Sequence, residues 1–164
     1  MKVESKNVIS HYIFSARMSD LQGTIPSELA ALSRLAILSF NTNSLVGTIP
    51  PELGKLIDSI FWISTFGNML TGTVPMEVGE LNLRALIIFD NLLSGEIPPN
   101  LFGKQESSLV ILEAANNKFS GTIPPVRRQR QIEYFTLDRN GHTGTLPPSL
   151  YAQPQLLELN VGDN

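Results

Sequence analysis

Glu113 and Asp138 are the first residues in this chain to invite a chemical reading. Two carboxylates on neighbouring strands approach each other as an acid–base pair does, or help hold a hard cation. Neither chemistry is completed here. No nucleophile, cleft motif or histidine accompanies them, so no catalytic residue and no enzymatic activity is expected. The two histidines, His11 and His142, lie five repeats apart. Zinc needs three or four converging ligands, so no metal site and no cofactor is expected. His142 stands at an apolar position of the pattern below and reads as a core residue; His11 reads as semi-core. Arg127, Arg128 and Arg130 form the basic run "RRQR". On a chain of net charge −3 they read as a solvated face rather than a nucleic-acid footprint. The remaining candidate is a row of hydroxyls. Thr24, Thr48, Thr73, Thr122 and Thr145 each follow a glycine, and Glu96 takes that place once. Stacked hydroxyls stabilise neighbouring strands.

The elements that position these residues follow from composition and spacing. The chain has 164 residues, 42% of them hydrophobic and 16% charged, which suits one buried core and excludes a disordered composition. It has no cysteine, hence no disulfide framework and no thiolate metal site. No apolar run approaches the roughly 20 residues of a membrane span. The opening "MKVESKNVISHYIFSARMSD" lacks an uninterrupted apolar segment and does not read as a signal peptide.

One phrase organises everything else. "GTIPSEL" from Gly23 returns as "GTIPPEL" (Gly47), "GTVPMEV" (Gly72), "GEIPPNL" (Gly95), "GTIPPVR" (Gly121) and "GTLPPSL" (Gly144), at steps of 24, 25, 23, 26 and 23 residues. A period in the twenties means a solenoid, one supersecondary unit per copy. Four residues before these glycines stand Ser19, Asn43, Asn68, Asn91, Asn117 and Asn140, and Asn164 occupies the same place in the last copy. Upstream lie apolar runs such as Leu32, Leu35, Leu38 and Phe40, or Ile57, Ile60, Ile63 and Thr65. The last pair of each run has period two and predicts a short strand with one buried face. Strands one repeat apart then run parallel, about 4.8 Å from each other. The asparagine turns the chain, and its amide is expected to bridge backbone groups of adjacent coils as a ladder. Glycine permits the bend, and the proline that follows forces an extended return path.

The pattern resembles the plant-type leucine-rich repeat, LxxLxxLxLxxNxLxGxIPxxLgxL, most closely at "LSRLAILSFNTNSLVGTIPPELGKL" (Leu32 to Leu56). The resemblance implies an α/β-type solenoid: a right-handed superhelix of about six or seven repeats, with a parallel concave sheet and an irregular or 3-10 convex side. It implies a single domain over 1–164, expected to be an uncapped fragment of a longer array. Similar proteins are receptor-like kinase ectodomains, receptor-like proteins and polygalacturonase-inhibitor-like proteins. A non-catalytic module binding a protein or peptide ligand is therefore expected, with further repeats or a kinase domain as possible companions in a full-length chain. The alternatives are a soluble inhibitor of a cell-wall hydrolase and an ice-binding protein using the threonine row. No nucleic-acid partner and no membrane contact by this segment are expected. The resemblance implies the cell surface or exterior, against which the missing signal peptide stands, so the compartment stays open.

In this fold the residues between the strand leucines face outward on the concave sheet. Their columns place Phe61, Trp62, Phe66, Ile87 and Phe89 together, with Asp90, Glu113, Tyr134, Asp138 and Arg139 on the C-terminal flank. An apolar centre with a charged flank is how protein-binding surfaces are built. These ten residues are the candidate ligand site.

Overall fold

The computed structural model describes residues 11–103, 108–126 and 131–164. The basic run Arg127, Arg128 and Arg130 lies outside the described residues. Each period-two pair forms the expected strand, and the strands pair in parallel one coil apart. They are β1 (Tyr12–Ser15), β3 (Leu35–Ser39), β5 (Trp62–Ser64), β6 (Ala85–Ile87), β8 (Ile111–Glu113), β10 (Tyr134–Thr136) and β12 (Glu158–Asn160). They form one sheet in the order β1-β3-β5-β6-β8-β10-β12. The register is direct: Leu38 faces Ile63, Ile63 faces Leu86, Leu86 faces Leu112, Leu112 faces Phe135 and Phe135 faces Leu159.

Past the asparagine turn the chain makes a second set of narrow parallel ladders. β2 (Gln22–Gly23) pairs with β4 (Ser44–Leu45), and β7 (Ser94–Gly95), β9 (Lys118–Thr122) and β11 (Gly141–Thr143) form a three-stranded sheet. The six glycines of the repeated phrase sit here with φ between +74° and +93°. Close approach reinforces that requirement. A Cβ on Gly47, Gly72 or Gly95 would lie 2.9, 2.9 or 2.8 Å from the methyl of Thr24, Thr48 or Thr73 of the preceding coil. The threonine row and the glycine row are thus two sides of one packing contact. The prolines then hold the return path extended, with Pro50 at φ −67°, ψ 128° and Pro147 at φ −61°, ψ 127°. One short helical turn follows on the convex side: 3-10 at Ser27–Ala31 and Pro51–Leu56, and α1 (Met76–Gly79), α2 (Asn100–Gly103) and α3 (Pro148–Tyr151).

The core lies between the concave sheet and the return path. Leu35, Leu38, Ile63, Leu86, Leu112 and Phe135 are fully buried from the sheet side, and Ile49, Val74, Ile97, Leu53 and Val78 meet them from the other. Each such side chain stabilises the fold by about 1.5–3 kcal/mol. Two members of the expected apolar runs stay outside it: Leu32 is 40% exposed and Ile57 39%. Both cap the C-terminal end of a 3-10 turn, which carries them to the convex rim, and the core is filled by Leu35 and Ile60 instead. His11 is exposed rather than semi-core. It precedes β1, whose Tyr12, Ile13 and Phe14 are exposed too, because β1 has a described neighbour on one side only. His142 takes the apolar position expected of it and is buried, 6.5 Å from Phe119 between ring centres.

Candidate functional site

The concave face is held in place by the asparagine ladder. Asn68 donates through Nδ2 to Phe40 O of the preceding coil (2.9 Å) and to Thr65 O (3.0 Å) in its own, while its Oδ1 accepts from Leu45 N (3.1 Å). Asn43, Asn91, Asn117, Asn140 and Asn164 repeat this arrangement, accepting from Leu21, Leu70, Leu93, Phe119 and His142 N–H groups at 2.9–3.0 Å. Each amide therefore satisfies backbone groups of two coils that would otherwise be orphaned. The residue just before each asparagine, or before Ser19 in the first coil, is left-handed: Met18, Thr42, Gly67, Asp90, Asn116, Arg139 and Asp163 have φ of +47° to +66°. This turn went unread in the sequence, though Asp and Asn recurring there were its signal, since those residues tolerate the left-handed region.

Between the core residues, alternate side chains turn to the concave surface. Trp62 lies in register with Ile37 and Ala85, and Ile87 with Ser64 and Glu113. Just beyond the strands, the rings of Phe66 and Phe89 stack with centroids 4.4 Å apart and planes 8° from parallel. Both rings, Trp62 and Ile87 are half-buried. Phe61 is half-buried as well, one residue ahead of β5, and its carbonyl accepts the Arg84 N–H at 2.7 Å. Several residues of these columns are not outward-facing in effect. Ser39, Ser64, Asn41 and Ala85 are buried. They are small and roofed by larger neighbours: Arg17 Nε donates to Ser39 Oγ (2.9 Å), Ser64 Oγ donates to Asn41 Oδ1 (2.8 Å), and Ala85 sits in register between Trp62 and Ile111. At β5 and β6 the apolar surface left accessible between them is that of Trp62, Phe66, Ile87 and Phe89.

The C-terminal flank is charged. Glu113 is half-buried on β8, in register with Thr136 of β10. Burial pushes its carboxyl above the usual carboxylate range, and the Glu158 charge adds to that. Tyr134 is half-buried beside Glu158 in the neighbouring column. Asp138 is half-buried two residues past β10. Asp90 accepts from Asn116 Nδ2 at 2.7 Å, and Arg139 Nε lies 3.9 Å from Asp163 Oδ2, at the surface. The hollows described on the molecule lie elsewhere. They are lined by residues such as Thr24, Pro26 and Glu52, Gly54, Lys55 and Glu80, Thr48, Thr73 and Glu77, and Ile123, His142 and Asn164; neither Glu113 nor Asp138 lines any of them. Among the described residues no group of three acidic or imidazole side chains is placed to hold a metal ion, and no helix is long and apolar enough to cross a membrane.

Neither the family models nor the curated proteins compared with the chain match it. Solved structures do. The chain is 34% identical, over 85% of its length, to the LRR ectodomain of the Arabidopsis receptor kinase HAESA in complex with an N-terminal extended IDA peptide hormone ligand (TM-score 0.75). It is 30% identical, over 90% of its length, to a plant ice-binding protein (TM-score 0.79). It is 31% identical, over 80% of its length, to a chain of the BIR3–SERK2 complex from Arabidopsis thaliana (TM-score 0.64). It spans 23%, 47% and 68% of those three chains respectively. The repeated phrase, the asparagine ladder, the parallel sheet and these likenesses agree: the chain belongs to the plant-type leucine-rich-repeat family.

Proposed function

We propose that this segment is a non-catalytic recognition module that binds an extended protein or peptide ligand on its concave sheet, as part of a receptor-like protein at the cell surface. The observation that carries the reading is the Phe66–Phe89 stack, half-buried on a face where water would otherwise select polar side chains. With Trp62 and Ile87 beside it, the stack offers a rigid apolar anchor, the kind of feature on which binding energy concentrates. The likeness to a receptor ectodomain solved with a peptide hormone supports it. The test is selection of a random dodecapeptide phage library on the purified chain. Recovered peptides should lose about 2 kcal/mol of affinity, roughly 30-fold, on Trp62→Ala or Phe89→Ala. Peptides that bind all variants equally would place recognition elsewhere.

A second reading rests on the exposed row Thr24, Thr48, Thr73, Thr122 and Thr145 and on the similar ice-binding protein. Glu96 interrupts the row, and the threonine methyls are already engaged with the glycines of the next coil. Thermal hysteresis of the purified chain, abolished by Thr73→Lys, would favour this reading; its absence would remove it.

A further inference from the structure

The concave sheet changes chemistry along its length. At β5 and β6 it is apolar. From β8 to β12 it carries Glu113, Asp138 and Glu158, and none of the three has an ion-pair or side-chain hydrogen-bond partner among the described residues. Among the described residues, Arg139 makes its ion pair with Asp163 instead, at 3.9 Å. Glu113 meets Glu158 as a like charge on a surface that already desolvates it. At the other end of the sheet the charge is reversed: Arg17 is exposed and donates to Ser39. Glu113, half-buried beside the Glu158 charge, is raised in free energy, and a cation arriving from solution lowers it.

We infer that the ligand is a cationic extended peptide, its apolar segment on the Phe66–Phe89 stack and its arginine or lysine side chains against Glu113, Asp138 and Glu158. This rests on the concave-face reading proposed above. The dimensions suit it. From β6 to β12 is three strand spacings, about 14 Å, which an extended chain crosses in about four residues. The basic residues therefore fall within about five positions of the apolar anchor. Arginine fits better than lysine, because its planar fork pairs with carboxylates, its stem lies on apolar surface and its face can rest on Tyr134. The peptide also acquires a direction, with its basic end over the C-terminal coils.

The phage-library selection supplies the probe. Peptides recovered at low salt should be enriched in Arg and Lys by about threefold over the unselected library, clustered within about five positions of an aromatic or proline residue. A synthetic copy of one should bind the Glu113→Gln/Asp138→Asn/Glu158→Gln variant about tenfold more weakly, and should weaken on wild type as NaCl is raised. Should that variant fold poorly, the same peptide with citrulline for arginine, titrated into wild type, reads the same charge contribution. Neutral or acidic recovered peptides that still depend on Phe89, or equal binding of the arginine and citrulline peptides, would overturn the inference and leave concave-face binding standing. Peptides indifferent to both Phe89 and the carboxylates would overturn both.

Discussion

Asn68 and Asn164 make the same bonds and stand in different worlds. Each donates to the preceding coil (Phe40 O at 2.9 Å; Leu137 O at 3.0 Å) and to its own (Thr65 O at 3.0 Å; Val161 O at 2.9 Å), and each accepts from a backbone N–H (Leu45 at 3.1 Å; His142 at 3.0 Å). Asn68 is 9% exposed, and its own N–H bonds onward to Asp90 O of the next coil at 3.1 Å. Asn164 is exposed and has a described neighbour on one side only. Hydrogen-bond geometry is thus a property of the repeat, whereas what the bond is worth is a property of its neighbours. Where water can replace the amide, its loss costs little; where water is excluded, the orphaned backbone groups carry the full penalty.

That contrast can be broken at several levels, beginning with the core. Leu86→Ala in the central sheet should cost about 2–5 kcal/mol, because it opens a cavity among fully buried neighbours. Leu159→Ala, at a half-buried site in the same register column but three strands distant, should cost less than half as much in urea titration. Equal losses would mean that the last described coil is as well packed as the centre. Asn68→Ala should cost about 1–3 kcal/mol and Asn164→Ala less than about 1 kcal/mol by the same measurement. If the two were equal, water competition would not be what separates them.

His142 sharpens the comparison in another way. Leu93, two coils earlier at the same position, is fully buried and apolar; His142 is buried, and its Nε2 lacks a hydrogen-bond partner among the described residues. Burial pushes its imidazole below the ordinary histidine range, outweighing the opposing effect of the Gly121 and Ser120 carbonyls. The neutral form is therefore favoured in the fold. As pH falls below the ordinary histidine value the unfolded chain takes up the proton first, so stability is full above that value and is lost on going toward the lower, folded value. His142→Leu should gain about 1 kcal/mol and flatten thermal stability across mildly acidic pH. A variant that keeps the wild-type acid sensitivity would exclude His142 as its source. The smallest effect is expected at the turn. Thr42 is a β-branched residue at φ +56°, where the next coil has Gly67 at φ +66°. Thr42→Gly should be neutral to about 1 kcal/mol stabilising, relief of strain being partly offset by the flexibility of glycine in the unfolded chain.

Much of this architecture was legible in the residues. Glycine with positive φ, proline and the bridging asparagine have few alternative uses, so their recurrence set the coil, and a period of two set the register that pairs Trp62 with Ala85. Burial at the margins was less legible. Leu32 and Ile57 are apolar by type, but their exposure follows from where a 3-10 turn ends, which no residue pattern marked. Ser39, Ser64 and Ala85 read as outward-facing by alternation, but they vanish under larger neighbours from other coils, and that depends on which side chains happen to be adjacent. The left-handed column was hidden by its own variety, since Met18, Thr42 and Arg139 share it with Asp90 and Asn116. The candidate binding residues are the least determined by such rules, because the fold does not require any particular side chain at a concave position.

The uneven steps of the repeat have a consequence for what the molecule tolerates. From the central strand residue (Ser39, Ser64, Ile87, Glu113 or Thr136) to the asparagine is always four residues, and from there to the glycine four more. From glycine to the next such strand residue the count runs 16, 17, 15, 18, 15 and 16. All the irregularity is confined to the return path, where extended chain and single helical turns can absorb an extra residue. One residue added after Gly95 is a change of slack; one added between Glu113 and Asn117 turns a concave side chain into the core and pulls an amide out of reach of two coils. The chain is built like a ruler on one side and a bellows on the other, so its length can vary without disturbing the concave surface.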